Sequence, residues 1–299
     1  MIRDRSRLCL TISCVIMLAA LTLTIFGLGI NLGLDFTGGL SMQYKMNSGY
    51  QLADVETALK ELNVGAFSVA QQGQDEVLVR IGEITEDNIN TVQNGFEEKL
   101  TAKYPAMERV GDVNYVGPVA GRKLVTNALM SVLIATALML VYIAIRFDLN
   151  SGLAAVFGLV HDVLIMLSFM VLLRNFVQMN SSFIAAMLTI VGYSINNTIV
   201  IFDRIRENNW KLPAVEKVEI VNRSVKECLG RTINTTVTTL ITIVCLYILG
   251  VRSIKEFALP IIIGILSGVY SANMINGYIW ARLETARENR KGQKKAKTA

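Results

Sequence analysis

Leu149–Leu173 reads LNSGLAAVFGLVHDVLIMLSFMVLL, a run whose only ionisable residues are the adjacent pair His161-Asp162 near its middle. At about 1.5 Å of rise per residue, a helix of this length crosses a hydrocarbon core of about 30 Å. An ionisable pair at that depth is costly against lipid, so it has to face a protein interior or a water-filled path. The stretch reads as a transmembrane helix inside a bundle.

Five further runs flank it with almost no charge: Leu8–Leu34, Leu124–Ile145, Asn175–Phe202, Thr232–Val251 and Phe257–Ala281. The chain of 299 residues is 52% hydrophobic and 18% charged, with a mean hydropathy of +0.45, beyond what a soluble core requires. The first run follows Arg3, Arg5 and Arg7, as a signal peptide would, but its apolar part is long and no clear A-x-A site closes it, which favours a retained anchor. Basic residues prefer the cytosolic flanks. An inside N-terminus places 18 of the 29 Lys and Arg in the cytosol, and the short outside loops then hold only Arg174, Arg252 and Lys255. Both termini are expected to be cytosolic. The net charge of +5 is this bias plus a basic tail over 282–299, suited to anionic lipid headgroups rather than to nucleic acid, since no basic patch is interleaved with stacking aromatics. The cysteines, Cys9, Cys14, Cys228 and Cys245, fall in spans or a cytosolic loop, and no metal-ligand spacing occurs.

Between the first two spans lie residues 35–123, the one substantial extramembrane segment. Leu40, Met42, Tyr44 and Met46 alternate as a half-buried strand does, and Leu52, Val55, Leu59 and Leu62 recur with helical period. Phe67–Gln71 and Val77–Ile81 read as strands around the turn Gln72–Asp75. Ile89, Val92, Phe96 and Leu100 mark a second helix, ended by Pro105, and Val110–Val116 a last strand. The expectation is thus an α-helical polytopic membrane protein with six transmembrane helices and one extracytoplasmic α+β domain, a ferredoxin-like βαββαβ arrangement. Its divisions are 1–34, an outer domain 35–123, a five-helix bundle 124–281 and the tail. Such a fold decides no function by itself. No nucleophile–base pair or phosphate loop stands out, and neither an enzyme nor a bound cofactor or metal is expected.

The polar residues within the spans carry more. Besides His161 and Asp162, the fourth span holds Tyr193, Asn196 and Asn197 on adjoining positions of one helical face, with Asp203 seven residues beyond Asn196. The fifth holds a stripe of Arg231, Asn234, Thr235, Thr238 and Thr242. These nine residues, the two threonines beyond Thr235 aside, are the candidate ion-coupling or polar membrane centre. Threonine and asparagine stripes also serve simply as interhelical hydrogen-bond glue, and Asp203 and Arg231 lie where snorkelling to the membrane surface is cheap. Gly264-x-x-x-Gly268 in the sixth span reads as close helix packing.

Asp35-Phe36-Thr37-Gly38-Gly39 after the first span resembles the DFTGG signature of the SecD/SecF family, within the resistance-nodulation-division superfamily. Tyr115-Val116-Gly117-Pro118 resembles its VGP element. His161-Asp162-Val163, the stretch VGYSINNTIVIFDRIREN at Val191–Asn208, and Arg231-Thr232 also resemble that family, in order and over essentially the whole chain. The resemblance implies half of a twelve-span unit completed by a SecD-like subunit, acting on unfolded secretory polypeptides beyond the Sec translocation channel and driven by the proton motive force. The family pattern reads GYSLND where this chain has Asn197, and an amide cannot exchange a proton near neutral pH. A relay here would use Asp162, Asp203 or the partner's carboxylates. A small-solute exporter of the same superfamily is the alternative. An intramembrane aspartyl protease would need two convergent aspartates, and Asp162 and Asp203 stand at unequal depths with no G-x-G-D motif.

Overall fold

The computed structural model describes residues 2–298 except 47, 48, 73, 74, 83 and 176, so the middle of the expected Gln72–Asp75 turn lies outside the described residues. The elements in chain order begin with helix α1 (Ile2–Ile25) and a single turn α2 (Leu34–Thr37). Strand β1 (Gly39–Lys45), helix α3 (Leu52–Glu61), strands β2 (Phe67–Gln72) and β3 (Glu76–Ile81), helix α4 (Ile89–Lys103) and the short strands β4 (Glu108–Arg109) and β5 (Asn114–Val116) follow. The long helices α5 (Pro118–Arg146), α6 (Leu149–Leu172), α7 (Ser181–Lys211), α8 (Lys217–Leu249), α9 (Arg252–Ser271) and α10 (Gly277–Thr298) complete the chain, with a π-helical segment Ala272–Asn276 between the last two. Two compact units result, one of Leu32–Leu129 and one of Met1–Asn31 with Met130–Ala299.

In the smaller unit every strand pair is antiparallel and the sheet order is β2-β3-β1-β4, with β5 also on β1. The alternation read in β1 is real: Leu40, Met42 and Tyr44 are buried, and they pack with Val55 and Leu59 of α3 and Phe96 and Leu100 of α4 into one core. Asp54 ties the helices together by accepting from Lys103 and from the Tyr104 hydroxyl, and those two hydrogen bonds hold its carboxyl below the ordinary carboxylate range. Of the expected last strand Val110–Val116 only Asn114–Val116 is a strand, and a separate short piece, Glu108–Arg109, lies before it. Gly111 takes φ 76°, a left-handed conformation that interrupts the ladder, and each piece pairs separately with β1.

The two signature stretches meet in this unit. Gly39 pairs with Val116 beside Gly117, and a Cβ on Gly121 would lie 3.2 Å from the Phe36 carbonyl oxygen. Gly39 itself has φ 117°, and a Cβ there would stand 2.3 Å from the Ile81 carbonyl oxygen, a backbone atom with little room to retreat. Gly39→Ala is therefore expected to destabilise the unit by about 3 kcal/mol, strain and overpacking together, and to expose residues 40–116 to limited proteolysis in membranes. Wild-type resistance in that variant would contradict the geometry.

The larger unit supplies helices long and apolar enough to cross a membrane, and Val119–Ile143 at the end of the smaller one brings the candidates to six among the described residues: the others are Ser6–Ile25, Leu149–Leu172, Ser181–Lys211, Lys217–Leu249 and Ser253–Arg290. The protein is a multi-pass membrane protein. Several helices run past the charge-free stretches because their polar ends pair with one another: Arg204 bonds Glu207 and Glu227, and Asn208 bonds Ser224 and Glu227, pinning α7 to α8. Side-chain caps start two of them, Asp148 accepting from the Ser151 amide and Asn180 from the Phe183 amide. The α6, α7 and α9 spans are at least half buried, whereas α1, α5 and α8 show most of their apolar surface. The inner three therefore hold whatever the unit keeps from lipid.

Candidate functional site

Asp162 on α6 sits at the centre of those inner helices, 1% exposed. Its Oδ1 accepts from the Ser267 hydroxyl at 2.7 Å and lies 3.0 Å from His161 Nδ1, and its Oδ2 accepts from Ser271 at 2.8 Å and from Ser194 at 2.5 Å. Ser267 and Ser271 are one helical turn apart on α9, so both hydroxyls point to the same face, and Ser194 comes across from α7. An ionised carboxylate offers about four acceptor positions, and all four are used. Among the described residues no lysine or arginine pairs with it. The carboxylate is held by neutral hydroxyl dipoles and one imidazole.

His161 extends the network to α1. Its Nε2 lies 2.8 Å from Ser13 Oγ, which lies 3.4 Å from the Tyr270 hydroxyl, and Tyr270 donates to the Cys9 carbonyl. The Tyr270 ring stacks on the imidazole with centroids 6.0 Å apart. Beyond Ser194, Thr198 donates to the Ser194 carbonyl and accepts from Asn276 Nδ2 at 3.0 Å. Asn276 closes the π-helical segment and lies directly over Gly158, where a Cβ would be 2.3 Å from its amide atoms. π segments leave one turn of backbone out of register and recur at functional sites.

The other residues read as a polar centre are placed elsewhere. Asn197 is buried at 3% exposure with no partner for its Nδ2 among the described residues, while Asn196 beside it is exposed. Tyr193 is half-buried and its hydroxyl approaches the Thr235 carbonyl at 3.4 Å. Asp203 faces Arg146 and Arg206 at 3.9 and 3.8 Å. Arg231 is exposed and lines, with Asp203, Arg204 and Glu227, an open cleft of about 890 Å³. Asn234 is exposed, and the hydroxyls of Thr235, Thr238 and Thr242 bond back to carbonyls of their own helix. Of the nine, only His161 and Asp162 belong to this network, while Tyr193 and Thr235 meet each other apart from it. Ser13, Ser194, Ser267, Tyr270 and Ser271 were not foreseen, although the i, i+4 serine pair on the sixth span was there to be read.

The family model described as protein export membrane protein SecD/SecF, C-terminal, matches residues 96–286, and the SecD/SecF GG motif matches residues 24–48. The chain belongs to the SecD/SecF family. Relatives called protein translocase subunit SecF include that of Thermodesulfovibrio yellowstonii, 38% identical over 81% of this chain and 80% of that one. Another, from Calditerrivibrio nitroreducens, is 37% identical over 90% of this chain and 88% of that one. The crystal structure of SecDF, a translocon-associated membrane protein from Thermus thermophilus, matches 94% of this chain with a TM-score of 0.78 at 32% identity. SecDF in a super-membrane-facing form matches 98% with a TM-score of 0.69 at 31% identity. This SecD/SecF family chain spans 38% and 39% of those two SecDF chains.

Proposed function

We propose that the chain is the SecF-type subunit of a bacterial Sec protein-export machinery, and that it works with a SecD-like subunit to drive late polypeptide translocation with the proton motive force. In this reading residues 35–123 form an extracytoplasmic ferredoxin-like domain that meets emerging unfolded chains, both termini are cytosolic beside the translocation channel, and the Asp162 centre is the ion-coupling group. The chain acts as a moving transport part, not an enzyme.

The observation that carries the partnership is a row of polar side chains on the outside of the bundle. Asn196 on α7 and Asn234, Thr235 and Thr238 on α8 are all exposed, at positions a hydrocarbon core would cover. Lipid offers the side-chain amides of Asn196 and Asn234 no hydrogen bonds, whereas the threonine hydroxyls bond their own helix, so a second membrane bundle with its own polar face is the surface that suits the two asparagines. A machine built of two rocking halves needs one. That the SecDF neighbours are more than twice as long as this chain supports the same assignment.

Two measurements test it. The tagged protein is expected to purify with a SecD-like chain in about equal amounts, as complementary halves require. An export-competent preparation without such a chain overturns the partnership. In a background with the native cysteines replaced, Lys60→Cys is expected to react with an impermeant maleimide on intact cells, and Trp210→Cys only after permeabilisation. Both positions are exposed, so silence at either is not a matter of burial, and labelling in the reverse pattern inverts the topology.

A further inference from the structure

Ser13, His161 and Tyr270 have only one mobile proton too few to satisfy every contact at once, and this makes the network two-valued. Tyr270 commits its single O–H to the Cys9 carbonyl, so towards Ser13 it can only accept. His161 Nδ1 faces a carboxylate oxygen that takes hydrogen bonds and gives none, so Nδ1 carries a hydrogen. What stays open is Nε2. If it is bare, Ser13 donates to it, and α1 is bonded to α6. If it carries a hydrogen, Nε2–H donates to Ser13 Oγ, and the Ser13 hydroxyl turns to donate to Tyr270, which adds a second bond between α1 and α9 to the one from Tyr270 to the Cys9 carbonyl.

We propose that His161 and Asp162 form one proton-binding unit, with Ser13 as the hydroxyl that reverses when the proton arrives. One proton delivered from bulk water forms the Nε2–H bond, no other covalent bond changes, and the pair passes from one net negative charge to none. Both states leave each polar atom of the relay with a partner, so neither is a defect of packing. The groups that face the pair are hydroxyls of Ser194 from α7 and of Ser267 and Ser271 from α9, together with the titratable Tyr270 from α9 and Cys9 of α1 behind it. The proton thus reverses the Ser13 bond to α6 and adds a bond from α1 to α9, and α1 is the helix whose chain continues into Leu32–Leu129.

The inference rests on the reading of Asp162 as the coupling group and can fail separately from it. His161 is the only histidine of the chain, so nitrogen-15 labelling of histidine in the full-length protein in nanodiscs gives signals from this imidazole alone. Between pH ~4 and ~10, the wild type is expected to keep Nδ1 protonated throughout and to gain a hydrogen on Nε2 as pH falls. Asp162→Asn is expected to weaken that uptake about tenfold or more, since the neighbouring anion is gone. Tyr270→Phe is expected to weaken it by a smaller factor, removing an acceptor for Ser13 that only the proton-loaded state uses. A wild-type imidazole that stays in one protonation state over that range, or one with Nδ1 bare, overturns the proposal with no variant needed. Export by Asp162→Asn cells decides the coupling reading on its own.

Discussion

Cells whose only copy carries Asp162→Asn are expected to mature secretory precursors on the order of tenfold more slowly, each factor of ten being about 1.4 kcal/mol of lost drive, while holding normal amounts of the protein in their membranes. The reason lies in the four donors around the carboxylate. Asparagine keeps the shape, its oxygen still accepts from Ser267 and His161, and its amide hydrogens can be taken by Ser194 and Ser271 once those hydroxyls reverse. The packing therefore survives, and what disappears is the charge that a proton could neutralise. Asp162→Ala removes the acceptor altogether. It leaves three hydroxyls and an imidazole buried without it, at about 1–3 kcal/mol for each group that finds no other partner, so that variant is expected to be lost from the membrane. Pulse-chase maturation read beside immunoblots separates the two effects. A wild-type rate for Asp162→Asn at equal abundance would place ion coupling wholly in the partner chain.

How far these residues could be read before the structure depended on whether their signal was local. The spans were legible because a bilayer demands long apolar runs, and the smaller unit because β1 alternates and α3 and α4 have helical period. His161-Asp162 was legible for the same reason of cost. The shell around them was not, because serine is at home in a membrane helix and nothing at Ser13, Ser194 or Ser267 distinguishes a ligand of Asp162 from a hydroxyl bonded to its own helix. Thr235, Thr238 and Thr242 show the opposite case: a stripe at helical spacing bonds back to carbonyls of its own helix. Tyr193, Asn196 and Asn197 are close in sequence and were read as one face, but neighbours on a helix stand about 100° apart, enough to bury Asn197 and expose Asn196. The break between β4 and β5 turned on the positive φ of Gly111, which no periodicity reveals.

The second large effect is expected at Gly264, where α9 packs against Ile190 of α7. A Cβ there would stand 2.5, 2.7 and 2.8 Å from three carbons of Ile190, whose side chain is itself 1% exposed and packed among Met166, Phe183, Met187 and Ile261. With no free space to move into, overpacking at this contact costs about 1–3 kcal/mol for alanine and more for leucine. Gly264→Leu is accordingly expected to deplete the protein from the membrane, and Gly264→Ala to do so partly. Trimming the obstacle should reverse the smaller loss: Ile190→Ala opens the space the new methyl needs, so the double variant should be more abundant than Gly264→Ala alone. One turn along, Gly268 carries the same approach into the site. A Cβ at Gly268 would be 3.3 Å from Ser194 Cα and Cβ, close enough to press on the residue that donates to Asp162 but not to block folding. Gly268→Ala is therefore expected to keep its abundance and lose export, because a shift of a few tenths of an ångström shortens or breaks the Ser194 bond while Ser267 and Ser271 on the same helix move the other way. The two glycines divide the work of one helix contact between holding α9 against α7 and setting three hydroxyls around one carboxylate. Normal abundance of Gly264→Leu would show that the helices do not approach so closely, and with that the serine ring around Asp162 would lose its support.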